Sequence, residues 1–248
     1  MDFAMKSERD RIKMMGIRAI EVYEKNKLNG GDTTAKLAEI LYYHEDGSLR
    51  SHVKMYHQDT NITLFKWNQY SKPTSVFRFD NLGNFKDSIY YYYDQKGNLL
   101  EIDSNGITKR FINLYDKEGK LRQVVTTNDT EQKININEEH WYLDDGSKLV
   151  RLNYRSSSHS TSATHTVNYD RSGKIISIDL EKMGDRIDNA YNQYGFLVKS
   201  VYDSAGHSSQ IEYDYDFDLK KVSEIKKNVN GEIEVKRTFK YSLYSEKK

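Results

Sequence analysis

Apolar and polar side chains alternate along most of this chain. Val235, Arg237, Phe239 and Tyr241 fall on one side of a stretch whose other side is Glu234, Lys236, Thr238 and Lys240. Ile211, Tyr213, Tyr215, Phe217 and Leu219 alternate with Glu212, Asp214, Asp216 and Asp218, and Ile134 and Ile136 alternate with Asn135 and Asn137. A period of two places successive side chains on opposite faces of an extended strand. The pattern therefore predicts strands with two unlike faces. Residues 3–14 break the alternation and predict a short helix, with Phe3, Ile12 and Met15 as packing candidates. Residues 16–24 and 36–43 then read as the first two strands, joined by a loop around Asn29-Gly30-Gly31.

One recurring turn punctuates the strands. Of the 14 glycines, Gly47, Gly83, Gly97, Gly119, Gly146, Gly173, Gly195, Gly206 and Gly231 share a neighbourhood. Four positions before them stand Tyr43, Phe79, Tyr93, Tyr115, Tyr142, Tyr169, Tyr191 and Tyr202, with Lys227 as the exception. Aromatics make up 12% of the chain, so chance would place about one at nine such positions. Two positions after the glycine stand Leu49, Phe85, Leu99, Leu121, Ile175, Leu197 and Ile233. Three before it stand Asp80, Asp94, Asp116, Asp170, Asn192, Asp203 and Asn228.

Each position has a physical reason. Asp or Asn opens a type I turn by accepting from a backbone amide two residues on. Glycine then takes the left-handed conformation at no steric cost. A type I turn followed by a left-handed residue is the three-residue hairpin loop with a G1 bulge. In that register Asp94 faces Asn98 and Tyr93 faces Leu99. The aromatic and the aliphatic form a cross-strand pair worth about 0.2–1 kcal/mol.

Further breaks read as return turns at the other end of each strand. They are Ser104-Asn105-Gly106, Asn128-Asp129-Thr130, the Ser/Thr-rich stretch 156–162 and Gly184-Asp185. With them, turns recur every 10–15 residues or so, which predicts one up-and-down meander of about 14–17 strands. Open twisted sheets rarely exceed about ten strands without curling or splitting. The expected fold is all-β: a long antiparallel meander of tandem hairpins, curled or single-layered, with a short N-terminal helix. The expected organisation is a helical segment over 1–15 and a single sheet domain over 16–248. Phe65, Trp67 and Tyr70 fall in the least regular part, beside the chain's one proline, Pro73.

Composition narrows the function classes. Lys and Arg number 38 against 37 for Asp and Glu, so the basic field of a nucleic-acid binder is missing. A hydrophobic content of 37% and a mean hydropathy of −0.85 are lean for a two-sided core and suit a sheet wetted on one face. Tyr (20), Phe (9) and Trp (2) supply more aromatic surface than a disordered chain carries. Without cysteine there is neither disulfide framework nor thiolate metal site. No apolar run reaches the roughly 20 residues of a membrane-spanning helix. The charged start, MDFAMKSERDRIKMMG, does not read as a signal peptide.

Tyr93-Asp94-Gln-Lys-Gly97-Asn-Leu99, Tyr115-Asp116-Lys-Glu-Gly119-Lys-Leu121 and Tyr169-Asp170-Arg-Ser-Gly173-Lys-Ile175 resemble the YD repeats of bacterial Rhs and wall-associated proteins and of teneurins. The likeness runs over about residues 40–235. The stretch Met15-Gly16-Ile-Arg-Ala-Ile-Glu-Val-Tyr23 also resembles the opening of standalone Bacteroidetes YD-repeat proteins. That resemblance implies an extended hairpin sheet and a cell-surface or secreted location reached through a leader. The large relatives enclose a toxin or form a shell, and this chain has too few repeats to enclose a protein. Fold likeness does not assign function.

No catalytic constellation stands out. Glu212, Asp214, Asp216 and Asp218 alternate like a calcium loop, but Leu219 stands where such a loop needs glycine, so a wet acidic strand face is the reading. His44, His52, His57, His140, His159, His165 and His207 form no His-Glu-x-x-His motif. There is no Gly-x-Ser-x-Gly elbow and no phosphate-binding glycine loop. We expect no catalytic residue, no metal and no cofactor.

The tyrosine excess points to binding. Trp67, Tyr90, Tyr92 and Trp141 are the candidate ligand-binding residues, because aromatic platforms stack on sugar rings or on a partner's side chains. The expectation is a non-enzymatic binding or structural module at the bacterial envelope, contacting protein or glycan through the sheet surface. Nucleic acid and integral membrane segments are not expected. An accessory or immunity-like protein of a toxin or phage-associated system, working in the cytoplasm, is the alternative; a polysaccharide hydrolase ranks third. On a glycan array, Trp67→Ala and Trp141→Ala should each lose signal relative to the unmodified chain. Equal signals from all three would remove the aromatic-platform idea.

Overall fold

Eight of the nine expected glycine turns form as their residues require; Gly206 lies outside the described residues, and Asp203, expected to open its turn, is paired with Ser208 in a strand ladder. Eighteen strands close into a ring. A computed structural model describes residues 8–26, 34–56, 59–69, 72–127, 134–155, 162–180, 184–204 and 207–244. Helix α1 spans Glu8–Met14. The strands are β1 (Ile17–Asn26), β2 (Lys36–Tyr43), β3 (Leu49–Tyr56), β4 (Asp59–Trp67), β5 (Pro73–Phe79), β6 (Phe85–Tyr93), β7 (Leu99–Ser104), β8 (Ile107–Tyr115) and β9 (Leu121–Thr127). They continue as β10 (Ile134–Tyr142), β11 (Lys148–Arg155), β12 (Ser162–Tyr169), β13 (Ile175–Leu180), β14 (Asp185–Tyr191), β15 (Leu197–Ser204), β16 (His207–Tyr215), β17 (Lys221–Lys227) and β18 (Ile233–Leu243). Every strand pairs antiparallel with its chain neighbours, and β1 pairs with both β2 and β18. The meander is thus a closed 18-stranded barrel. The expected curled sheet, with fewer strands, is corrected by the β1–β18 ladder, which runs from Ile17↔Leu243 to Asn26↔Val235. Closure is the one arrangement of so long a sheet that leaves no edge unpaired.

Eight turns of one kind gather at one rim, which we term the turn rim. In each, the first amide donates to the fifth carbonyl: His44 to Ser48, Asn68 to Lys72, Asp94 to Asn98, Asp116 to Lys120, Leu143 to Ser147, Asp170 to Lys174, Asn192 to Phe196 and Asp216 to Lys220, at 2.8–3.0 Å. At Asp94 the expected register is met: Tyr93 pairs with Leu99 across the bulge, and Gly97 has φ +79°. Two of these turns were misread in the sequence. The Asn68 amide donates to the Lys72 carbonyl as in the rest of the set, and Pro73 is the first residue of β5, a position where a missing N–H is tolerated. The strand read through Leu219 stops at Tyr215; Leu219 itself takes the left-handed position, with φ +62°. Conversely, the Gly83 and Gly231 turns sit at the opposite rim, since they follow β5 and β17. The Asn105-Gly106 return turn forms with both residues at positive φ. The expected turns at 128–130 and 156–161 lie outside the described residues.

The rim aromatics share one face of the sheet. Ladder partners place Val22, Val76, Val124, Val150 and Val167 on that same face, all buried. Tyr42, Leu64, Tyr90, Tyr92, Ile112, Leu114 and Trp141 lie on the other face and are exposed. Side chains crowd on a concave wall and spread on a convex one, so the rim aromatics face inward. The surface area, 16721 Å2, is about 1.5 times the ~11,400 Å2 of a compact chain of 29.1 kDa. The sheet is a single layer with both faces accessible. Eighteen strands enclose more space than side chains alone fill.

Stitches between hairpins hold the rim. Trp67 Nε1 donates to the Leu49 carbonyl (2.6 Å), and the hydroxyls of Tyr93, Tyr191, Tyr215 and Tyr241 donate to the carbonyls of Pro73, Ile175, Leu197 and Lys221 (2.6–2.9 Å). Each acceptor is the first residue of the strand before the aromatic's own. Lysines of the preceding turn sit over the next ring, as Lys96 over Tyr115 at 4.1 Å and Lys174 over Tyr191 at 5.5 Å. Such bonds contribute about 0.5–1.5 kcal/mol each.

Helix α1 seats the chain's start on this rim. Ile12 and Ile17 are fully buried against Ile20, Val22 and Tyr43, and Tyr241 and Phe239 pack beside them. Arg11 stacks on Phe196, and Arg9 pairs with Asp46. A Cβ on Gly47 would clash with the Arg9 carbonyl oxygen and meet the Lys13 amide at 2.9 Å. At Gly83, with the same positive φ, a Cβ would meet nothing within 4 Å. Gly83→Ala should therefore cost only the backbone strain, about 1–3 kcal/mol, and Gly47→Ala measurably more. Urea unfolding of both variants tests this; equal losses would mean that α1 does not rest on Gly47.

Candidate binding clefts at the turn rim

The singled-out aromatics do not converge on one site. Trp67 lies at the turn rim, half-buried, stacked on Phe65 with ring centroids 6.1 Å apart. Tyr90 and Tyr92 point outward from β6, and Tyr90 meets Phe77 edge-on at 6.0 Å. Trp141 points outward from β10, four strands or about 19 Å away, and Arg151 covers its ring at 5.4 Å. The Tyr90 side of the wall continues an apolar patch. Ile40, Val53, Ile62 and Phe79 form one cross-strand row, and Tyr42, Leu64 and Phe77 contribute to the next. Elsewhere the outer wall is charged, with Glu101–Arg110 (3.2 Å), Asp188–Arg186 (2.9 Å) and Glu212–Lys227 (2.6 Å) paired across or along strands. Glu212 is thus an ion-pair partner.

Trp67 belongs to an open cleft of about 680 Å3 between two neighbouring rim turns. Its walls are His44, Glu45, Asp46 and Ser48 from the β2–β3 turn, and Phe65, Lys66, Trp67 and Asn68 from the end of β4. The fold makes this cleft because consecutive turns stand two strands apart, leaving a notch floored by the second turn's aromatic. Asp46 Oδ1 accepts from the Ser48 amide (2.9 Å) and hydroxyl (2.6 Å). Burial works against its charge, but these bonds and the Arg9 pair more than offset it and hold the carboxyl below its ordinary range.

A second open cleft, about 690 Å3, lies between the β10–β11 and β12–β13 turns. It is lined by Leu143, Asp145, Ser147, Asn168, Tyr169 and Arg171, among others. Asp145 Oδ1 accepts from the Ser147 amide (2.9 Å) and hydroxyl (2.5 Å), and these bonds lower its pKa. The sequence reading missed both clefts. The available signal was the tripeptide Asp-Gly-Ser, which the chain contains at 46–48 and again at 145–147. Among the described residues no group of His, Asp or Glu is arranged to hold a metal ion. No described helix is long and apolar enough to cross a membrane.

No protein-family model matches the chain. No curated protein matches it either. Among solved structures it is similar to a porin-like protein from Bacteroides uniformis, at 15% identity and a TM-score of 0.43, covering 93% of this chain and 97% of that one. A porin-like protein from Bacteroides vulgatus aligns at 9% identity and a TM-score of 0.30, over 91% and 99% of the two chains. A structure described as TcdB2-TccC3-TEV aligns at 13% identity and a TM-score of 0.20, over 92% of this chain and 15% of that one.

Titration of the rim follows from its bonds. Burial opposes ionisation of Asp94, but Tyr115 and Asn98 donate to it and lower its pKa. Tyr115 is pushed up to about 12 by burial and then by Asp94, and Tyr241 to about 12 by burial. A lowered carboxyl stabilises the fold above its unfolded value and loses that contribution as pH falls through the folded one. A raised phenol stabilises below its unfolded value and loses that contribution as pH rises through the folded one. The melting temperature should therefore drop as pH falls below about 4 and drop again as it rises above about 10. Tyr115→Phe should shrink its share of the alkaline loss. Melts followed by circular dichroism across this range test both, and an alkaline limb unchanged in the variant would count against the Asp94–Tyr115 bond.

Proposed function

We propose that this barrel is a non-enzymatic glycan-binding module of the YD-repeat type, working in water at the bacterial envelope. The observation that carries the reading is the Trp67 cleft. An indole lines it, together with carboxylates, an imidazole, an amide and an ammonium. Aromatic faces take the apolar face of a sugar ring, and flanking polar groups take its hydroxyls. The repeat spacing and the hairpin geometry support the YD-repeat kinship. The serine hydroxyls of both clefts donate to Asp46 and Asp145 within their own turns; we read these contacts as part of the turn, and binding without turnover as the function. The charged outer wall supports a water-exposed barrel: a Lys or Arg at mid-bilayer on the lipid face costs about 2–4 kcal/mol.

A protein partner is the second reading. The apolar rows on β2–β5, with Tyr90 and Tyr92 beside them, favour it. Exposed patches of this kind mark interaction sites when they exceed a few hundred Å2.

Affinity electrophoresis through gels containing xylan, mannan or β-glucan tests the first reading. The wild type should be retarded in at least one gel. Trp67→Phe, which keeps a smaller ring but loses the indole donor, should weaken retardation by about 2–10-fold. No reducing ends should appear on prolonged incubation. Free migration in all three gels would end the glycan reading, and release of reducing ends would end the non-enzymatic one.

A further inference from the structure

We infer that the barrel carries two equivalent glycan sites on nearly opposite sides of its turn rim, and so cross-links two chains. The inference rests on the glycan-binding reading and adds a valency to it. The two clefts have nearly the same volume, about 680 and 690 Å3. They also share a set of positions, although the second reaches further along the wall, to Leu149, Ile176 and Arg186. His44 and Leu143 open the first turn of each, Asp46 and Asp145 stand third, and Ser48 and Ser147 fifth. Both aspartates accept from their serine's amide and hydroxyl through Oδ1. Trp67 and Tyr169 supply the aromatic, Lys66 and Asn168 precede it, and Asn68 and Asp170 begin the second turn.

Their placement follows from strand order. One cleft is lined from the β2–β3 turn and the end of β4, the other from the β10–β11 turn to the start of β13 and Arg186 of β14, so their matching turns lie eight strands apart in a ring of 18. That is roughly 160° around a barrel of evenly spaced strands, or ~38 Å along the wall. Both open at the same rim because both follow even-numbered strands. A single oligosaccharide in one cleft does not reach the other around the wall, so each cleft takes its own chain. Linking two sites on one rigid body raises avidity for a polymer without any new contact.

Titration calorimetry of the full chain with hexasaccharide fragments of xylan, mannan and β-glucan is the test. The wild type is expected to bind two hexasaccharides of the recognised kind. His44→Trp and Leu143→Trp, each at an exposed first turn position, fill one cleft apiece and should each leave one site of unchanged affinity. The double variant should leave none. Melting curves matching the wild type confirm that the variants fold. With the intact polymer, turbidity should rise and then fall as protein is added, a readout that needs no substitution. A wild-type stoichiometry of one, or loss of all binding in one single variant, overturns bivalency and leaves the glycan reading standing. Binding to none of the three hexasaccharides overturns both.

Discussion

Everything in this barrel depends on satisfying backbone hydrogen bonds at the two ends of a very long sheet. A single-layer meander of eighteen strands would leave two open edges, each a template for association with another chain. Pairing β1 with both β2 and β18 removes them. Helix α1 then fixes the seam from the inside, with Ile12 and Ile17 buried and the helix backbone resting on Gly47. The Gly16 carbonyl accepts from the Tyr244 amide, so the two ends of the described chain meet at the same rim.

The two rims are chemically unlike, and the difference comes from which strands the regular turns follow. Eight turns of one geometry crowd one rim; Trp67, Tyr93, Tyr191 and Tyr215 donate to carbonyls of the strand before, and Tyr115 donates to Asp94. These bonds spend the polar ends of the tyrosines on the scaffold. What remains for a ligand is the notch between one turn and the next. Two such notches, beside Trp67 and Tyr169, form open clefts, and a turn with the sequence Asp-Gly-Ser precedes each. Trp67 thus serves both the scaffold, through its indole N–H, and the cleft, through its ring.

The interior carries charge as well as rings. Arg237 pairs with Glu24 and Glu224, Arg78 with Asp87, and Glu39 with His52, all on the inward face. A thick apolar core would make such pairs costly to desolvate. On a single-layer wall with accessible faces they are tolerated, which agrees with the large surface area and with the small number of buried residues outside the α1 seam.

Much of this was legible in the sequence because a hairpin is a local object. Tyr93, Asp94, Gly97 and Leu99 specify a turn, a bulge and a cross-strand pair within seven residues, and the structure forms all three. Where the glycine is missing the local signal fails: 68–72 reads as irregular and Asp216–Lys220 as strand, yet the Asn68 amide reaches the Lys72 carbonyl and the Asp216 amide the Lys220 carbonyl, as in the glycine turns. The alternation of faces was readable too, but not which face would be concave. Ring closure decided that, and closure is a contact between residues 17–26 and 233–243 that no local pattern encodes. The same holds for the clefts. The two Asp-Gly-Ser turns are visible along the chain, but only the strand count of the closed ring sets them on opposite sides of one rim.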